Sequence, residues 1–99
     1  MVRILIRDII YVEGMAEYLR IHLARQEKPL VVLLSMKKME ERLASQDFMR
    51  IHKSYIISLH HIAEINKSRV VLDNEKDIPI GESYRDKLTD YVNRKFLGK

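Results

Sequence analysis

Phe48-Met49-Arg50-Ile51-His52-Lys53-Ser54-Tyr55-Ile56-Ile57-Ser58-Leu59 is the stretch on which the reading of this chain turns. Apolar, strand-favouring residues occupy both of its ends, so it predicts strand, interruption, strand. Arg50, His52, Lys53 and Ser54 form the interruption. A break that served folding alone would hold Gly, Asn or Asp, which suit turn geometry. Donors matched to phosphates and base edges stand there instead. On composition alone, a solvated hairpin tip that happens to be basic explains them as well as a nucleic-acid contact does. His52 reads as a hydrogen-bonding strut that holds the tip's shape, with Lys53 projecting outward.

Working outward, His60–Ile65 and Arg69–Leu72 read as strands joined by an Asn66-Lys67-Ser68 turn. Ile78-Pro79-Ile80 follows as a short edge strand, since Pro79 has no N–H to give a ladder. Tyr84, Leu88, Tyr91, Val92 and Phe96 share one face of a C-terminal helix ended by Gly98. Ser83 and Asp86 resemble a capping box at its start. Upstream, Val2–Ile6 and Ile9–Val12 read as two strands separated by Arg7-Asp8, and Glu13–Ala16 as a loop loosened by Gly14. Tyr18–Leu23 alternates apolar and polar residues as a half-exposed strand does. Leu30–Leu34 is an unbroken aliphatic run fit for a central strand. Ser35 caps a short helix over Met36–Ala44, with Met36, Met39 and Leu43 inward and Glu40-Glu41-Arg42 on the solvated face.

The ten residues Phe48–Ile57 resemble the signature of the LytTR family of bacterial DNA-binding domains. That signature runs Phe, any residue, Arg, an aliphatic, His, Arg or Lys, Ser, an aromatic, two aliphatics and Asn. Lys53 stands where Arg is commoner and Ser58 where Asn is usual. Ile10–Gly14 through Tyr18-Leu19 resembles the family's opening motif, and Ile78–Tyr84 its closing motif. Gly81-Glu82 replaces the Ser-Arg of many members, which removes an arginine from a DNA-facing region. The resemblance implies a mainly β fold, an elongated stack of small antiparallel sheets with one short internal helix and a C-terminal helix. It implies that loops at one side enter neighbouring major grooves. The DNA-binding residues it implies are Lys53, Arg50 and Ser54 at the central tip, Met15, Glu17 and Tyr18 in the first loop, Lys67 and Arg69 at a third, and Ser83, Tyr84 and Arg85 at the last helix.

Length bounds the rest. Ninety-nine residues hold one domain, so 1–99 is read as a single LytTR-like unit without a receiver domain, either a stand-alone domain or, the favoured reading, the C-terminal half of a response regulator. Apolar residues at 46% and charged residues at 32% describe a globular chain. A formal charge of +4 suits a polyanionic partner without requiring one. The absence of cysteine removes thiolate chemistry and fits a reducing cytoplasm. No apolar run approaches the roughly 20 residues of a membrane span. Four histidines without a two-His helical spacing argue against a metal site. Neither a nucleophile elbow nor a glycine-rich phosphate loop is present, so neither catalysis nor a cofactor is expected.

Two functions of different classes remain. One is sequence-specific binding of duplex DNA, as a dimer on promoter direct repeats, by the output half of a cytoplasmic response regulator whose receiver domain lies upstream. The other is a non-enzymatic β-rich protein-interaction or sensing module with a basic loop tip. The clustering of polar and basic residues at four loop tips, together with the resemblance, favours DNA.

Overall fold

Residues 3–96 are described by the computed structural model, which is elongated, 44 × 26 × 23 Å. Eight strands and two helices are arranged as β1 (Ile9–Met15), β2 (Tyr18–Leu23), β3 (Leu30–Leu33), α1 (Met36–Arg42), β4 (Phe48–His52), β5 (Tyr55–Ser58), β6 (Ile62–Ile65), β7 (Arg69–Leu72), β8 (Asp77–Pro79) and α2 (Arg85–Lys95). Five strands pair antiparallel in the order β3-β2-β1-β5-β4, and three more in the order β6-β7-β8. The expected mainly β stack of antiparallel sheets with a short and a C-terminal helix is what forms.

Alternation of side chains along the strands gives the larger sheet two apolar faces. One carries Ile9, Val12, Leu19, Ile21 and Ile56 against Met39 of α1 and Leu43 at its C-cap. The other carries Tyr11, Met49, Ile51 and Ile57 against Val70, Leu72 and Ile78 of the smaller sheet and Leu88 of α2. The sheet is thus a middle layer. Val12, Ile51 and Ile57 are wholly buried within it, and a one-residue slip of either β1 or β5 would exchange the two apolar sets.

Several expectations need correction. The first expected strand, Val2–Ile6, begins outside the described residues, and its remainder forms no strand. Ile6–Asp8 is instead a turn of 3-10 helix, closed by Asp8 N–H donating to Leu5 O at 2.9 Å. Ile4 packs on the α1-side cluster, so that apolar run is used in packing and not in a ladder. β1 continues to Met15, and the turn is Ala16-Glu17, with Ala16 at φ 50°. β3 lies at an edge rather than the centre, and Val31 and Leu33 on its outer face are 56% and 70% exposed. β6 starts at Ile62 because Leu59–His61 makes the 3-10 turn between the sheets. Ser83 caps nothing; Glu82–Tyr84 is a 3-10 turn leading into α2. Ser35 does cap α1, accepting from Lys38 N–H at 3.2 Å. α2 ends at Lys95 with Phe96 extended at its C-cap, short of the expected end at Gly98, which itself lies outside the described residues.

Tyr11 and His22 face each other across β1 and β2 with rings stacked 4.0 Å apart and 6° from parallel. Burial, then the charge of Glu13, pushes the Tyr11 phenol up to about 12. Burial also lowers the His22 imidazole below its ordinary value, although its hydrogen bond to Glu13 at 3.2 Å opposes the shift. The fold therefore disfavours the imidazolium, and unfolding at low pH takes up a proton. The His22 contribution is complete above the ordinary value near 6.5 and is lost as pH falls toward the folded one. Comparing urea unfolding of the wild type and His22→Phe from pH 7.5 to 5, we expect the wild type to lose stability faster, by up to about 1.4 kcal/mol per pH unit. Parallel pH profiles would show that the ring does not resist protonation.

Candidate functional site

The β4–β5 tip is built without turn residues. Lys53 and Ser54 connect the strands, while Arg50 and His52 lie inside β4, so the interruption is shorter than the sequence suggests. Neither connecting residue has positive φ, whereas the twist-matched two-residue hairpin turns require it. A register shift between Arg50 and His52 accommodates the mismatch.

Side chains satisfy the backbone groups that this geometry frees. Ser54 N–H donates to His52 Nδ1 at 3.0 Å, which makes half-buried His52 the strut its position suggested. That bond requires an unprotonated Nδ1, so a neutral ring carries its hydrogen on Nε2. The Arg50 guanidinium donates through Nε to His52 O at 3.4 Å and through Nη2 to Lys53 O at 2.6 Å. Its Nη1 donates to Glu40 Oε1 at 3.2 Å. The Lys53 side chain stays exposed. The tip is a braced platform with one cation on its outside.

Backbone bonds then tie this tip to the other loops. Gly14 N–H donates to Ser54 O at 2.8 Å, which sets the β1–β2 turn beside the β4–β5 turn. A Cβ on Gly14 would stand 2.9 Å from Met36 Cγ, so this glycine permits a close approach of α1 rather than a loop. On the other side Gly81 N–H donates to Ile51 O at 2.8 Å and Ile80 N–H to Ser68 O at 2.9 Å. Arg85 Nη1 donates to Lys67 O at 2.8 Å. The four loop tips therefore form one linked row: Ala16-Glu17, Lys53-Ser54, Glu82–Arg85 and Asn66–Ser68.

The sequence-expected residues divide along that row. Met15, Glu17, Tyr18, Lys53, Lys67, Arg69 and Ser83 are exposed, Tyr18 by 52%. Arg69 sits 3.7 Å from Asp77, and Arg85 bonds Glu82 at 3.3 Å. Exposed pairs of this kind contribute little to stability, and a phosphate can replace the carboxylate at small cost. Ser54 and Tyr84 are half-buried. Arg50 is largely buried, at 18% side-chain exposure, with its guanidinium 5.9 Å over the Tyr84 ring. Glu40 escaped the sequence reading, which assigned it to the solvated face of α1. Nothing in the local pattern links it to Arg50; only the fold brings them together. Among the described residues, no three His, Asp or Glu side chains converge as a metal would require, and no helix is long and apolar enough to cross a membrane.

Comparison with known proteins gives three findings. A family model described as LytTr DNA-binding domain matches residues 1–93. The CO-responsive transcriptional regulator RcoM of Rhodospirillum rubrum is 31% identical over 81 residues, covering 76% of this chain and 34% of that protein. The chain thus spans about a third of that relative's length. A solved structure described as the LytTr DNA-binding domain of a methyl-accepting/DNA response regulator from Bacillus cereus superposes with a TM-score of 0.76 at 21% identity. It covers 87% of this chain and 82% of that one, and at this identity it speaks for the fold.

The tip geometry separates two neighbours by experiment. His52→Ala removes the acceptor for Ser54 N–H and should lower stability by about 1–2 kcal/mol. The Ser54 amide should exchange faster with solvent in the same variant. Lys53→Ala, an exposed change, should stay within about 0.5 kcal/mol of wild type. Equal melting temperatures for all three proteins would remove His52 as a strut.

Proposed function

The chain belongs to the LytTr DNA-binding domain family, whose members serve in transcription regulation, and from that premise we propose that it binds duplex DNA sequence-specifically through its row of loop tips. The family is a DNA-binding one and not an enzyme family. In this proposal the β1–β2 and β4–β5 tips enter the major groove, which is wide enough for a two-stranded ribbon. Lys53 meets a guanine edge or a phosphate. Glu17 accepts from a cytosine amino group, the pairing an acidic side chain offers at a base edge. Lys67, Arg69, Ser83 and Arg85 hold the backbone on the other side, with Met15, Tyr18, Ser54 and Tyr84 packing along the contact. The observation that carries the reading is the linked row itself, since the Gly14–Ser54, Gly81–Ile51 and Ile80–Ser68 bonds fix the spacing of four polar tips.

The wider setting belongs to the same proposal. Residues 1–99 act as one output domain, joined in the full-length protein to an upstream receiver domain, in the cytoplasm. Two copies bind side by side on promoter direct repeats.

Selection of binding sites from a random duplex pool tests specificity directly, and a pool that fails to converge would overturn it. On the selected site, affinity should fall with salt with a log–log slope of about −4 to −6, as for five or six neutralised phosphates. Lys53→Ala should cost about 1–3 kcal/mol of binding. If the lost contact is to a base, discrimination at one position relaxes; if to a phosphate, all sequences weaken alike. Wild-type affinity in this variant would make Lys53 a solvated charge only.

A further inference from the structure

We infer that the Glu40–Arg50 pair is the positioning element of the β4–β5 tip, fixing the backbone that presents Lys53 without itself touching DNA. The inference rests on the reading that this tip meets DNA, and it gives α1 a part in recognition although no residue of α1 lies in the row of tips.

A two-residue connection lacking Gly, Asn and Asp has no intrinsic reason to hold one shape. Here a single guanidinium takes two consecutive carbonyls, His52 O at 3.4 Å and Lys53 O at 2.6 Å. Those oxygens are thereby turned toward the guanidinium. Left outward, they would present partial negative charge to a phosphate. The guanidinium itself is held from the opposite side by Glu40 Oε1, 3.2 Å from Nη1. Its third flank is the Tyr84 ring, 5.9 Å away. Arg50 is thus fixed between α1, the tip and the 3-10 turn before α2. A planar fork suits this double duty, whereas the point charge of lysine reaches one acceptor well and not two in fixed directions.

Burial decides between holding and contacting. With its side chain 18% exposed and a donor on each of its three nitrogens already engaged, Arg50 is placed to hold the tip more than to reach out to a phosphate. Glu40 would also repel that phosphate if it faced one. At the other end of α1, Met36 abuts Gly14, whose N–H holds Ser54 O. The helix therefore braces both neighbouring tips from behind, through one apolar and one charged contact.

The test uses Glu40→Ala, Glu40→Gln and Arg50→Lys, with the selected operator and a random duplex as ligands. In the free protein, Lys53 and Ser54 amides should exchange faster with solvent in Glu40→Ala and Arg50→Lys. Operator affinity should fall about fivefold or more in both, the loss of discrimination at one base pair. Affinity of Glu40→Ala for the random duplex should stay at the wild-type level or tighten slightly, since a negative charge is gone. Glu40→Gln keeps an acceptor at the same place and should recover most of the operator affinity. Wild-type amide exchange in Glu40→Ala would overturn the positioning role. Equal weakening toward operator and random duplex in Arg50→Lys, with a salt slope smaller by about one, would make Arg50 a phosphate contact and overturn it also. Loosened tip amides with unchanged operator affinity would instead show that this tip does not meet DNA, which removes the premise and the specificity role together.

Discussion

Burial of the five-stranded sheet on both faces is the constraint from which the rest follows. Val12 and Ile56 face α1 while Ile51 and Ile57 face the smaller sheet, all at the floor of accessibility. A strand buried on one face can exchange registers at the cost of exposing that face. One buried on both faces has no such freedom, because a slip drives each apolar set into the layer shaped for the other. Register in β1 and β5 is therefore rigid, and register sets where a hairpin ends. The position of Gly14 against Ser54 is a consequence of packing far from either turn.

What the sequence disclosed follows from this division of labour. Alternation in Tyr18–Leu23 was legible because burial there acts on every second residue, and the strands around Lys53 because both are runs of strand-favouring apolar residues. The α1 cap at Ser35 was legible because capping is local. Strand order was not. Leu30–Leu33 has the composition of an interior strand, and nothing within it announces a place at the edge. The N-terminal aliphatic run misled for a related reason, since packing and laddering call for the same residue types. The partners of Arg50 show the limit most clearly. Its residue type and place in the motif suggest a nucleic-acid contact, and its surroundings engage it inside the protein. Partners ten residues apart on different elements leave no periodic trace.

Rigid register and polar tips together describe a particular economy. The side chains that can meet a ligand, Lys53 and Lys67 among them, are exposed, yet each stands beside a backbone atom fixed by a hydrogen bond to another element. Ordering such a side chain on binding costs about 0.5–1.5 kcal/mol; ordering the loops as well would cost far more. Scaffold and contact are thereby separable, and change at a tip residue is insulated from the stability of the sheet below it.

The free flank of β3 has a consequence for the protein as a solute. Its outer backbone groups and the neighbouring Val31 and Leu33 side chains would template another strand. Pro29, which lacks an N–H, stands before the strand, and the chain turns away into α1 from Ser35 after it. Any ladder grown there is only four residues long, shorter than the roughly six- or seven-residue segments typical of fibril cores and of the kind that blunts edge pairing. The apolar side chains of that flank, Leu33 the most exposed of them at 70%, therefore matter more to self-association than its backbone does. A charge placed at Val31 or Leu33 is the change that would raise solubility without disturbing either buried layer.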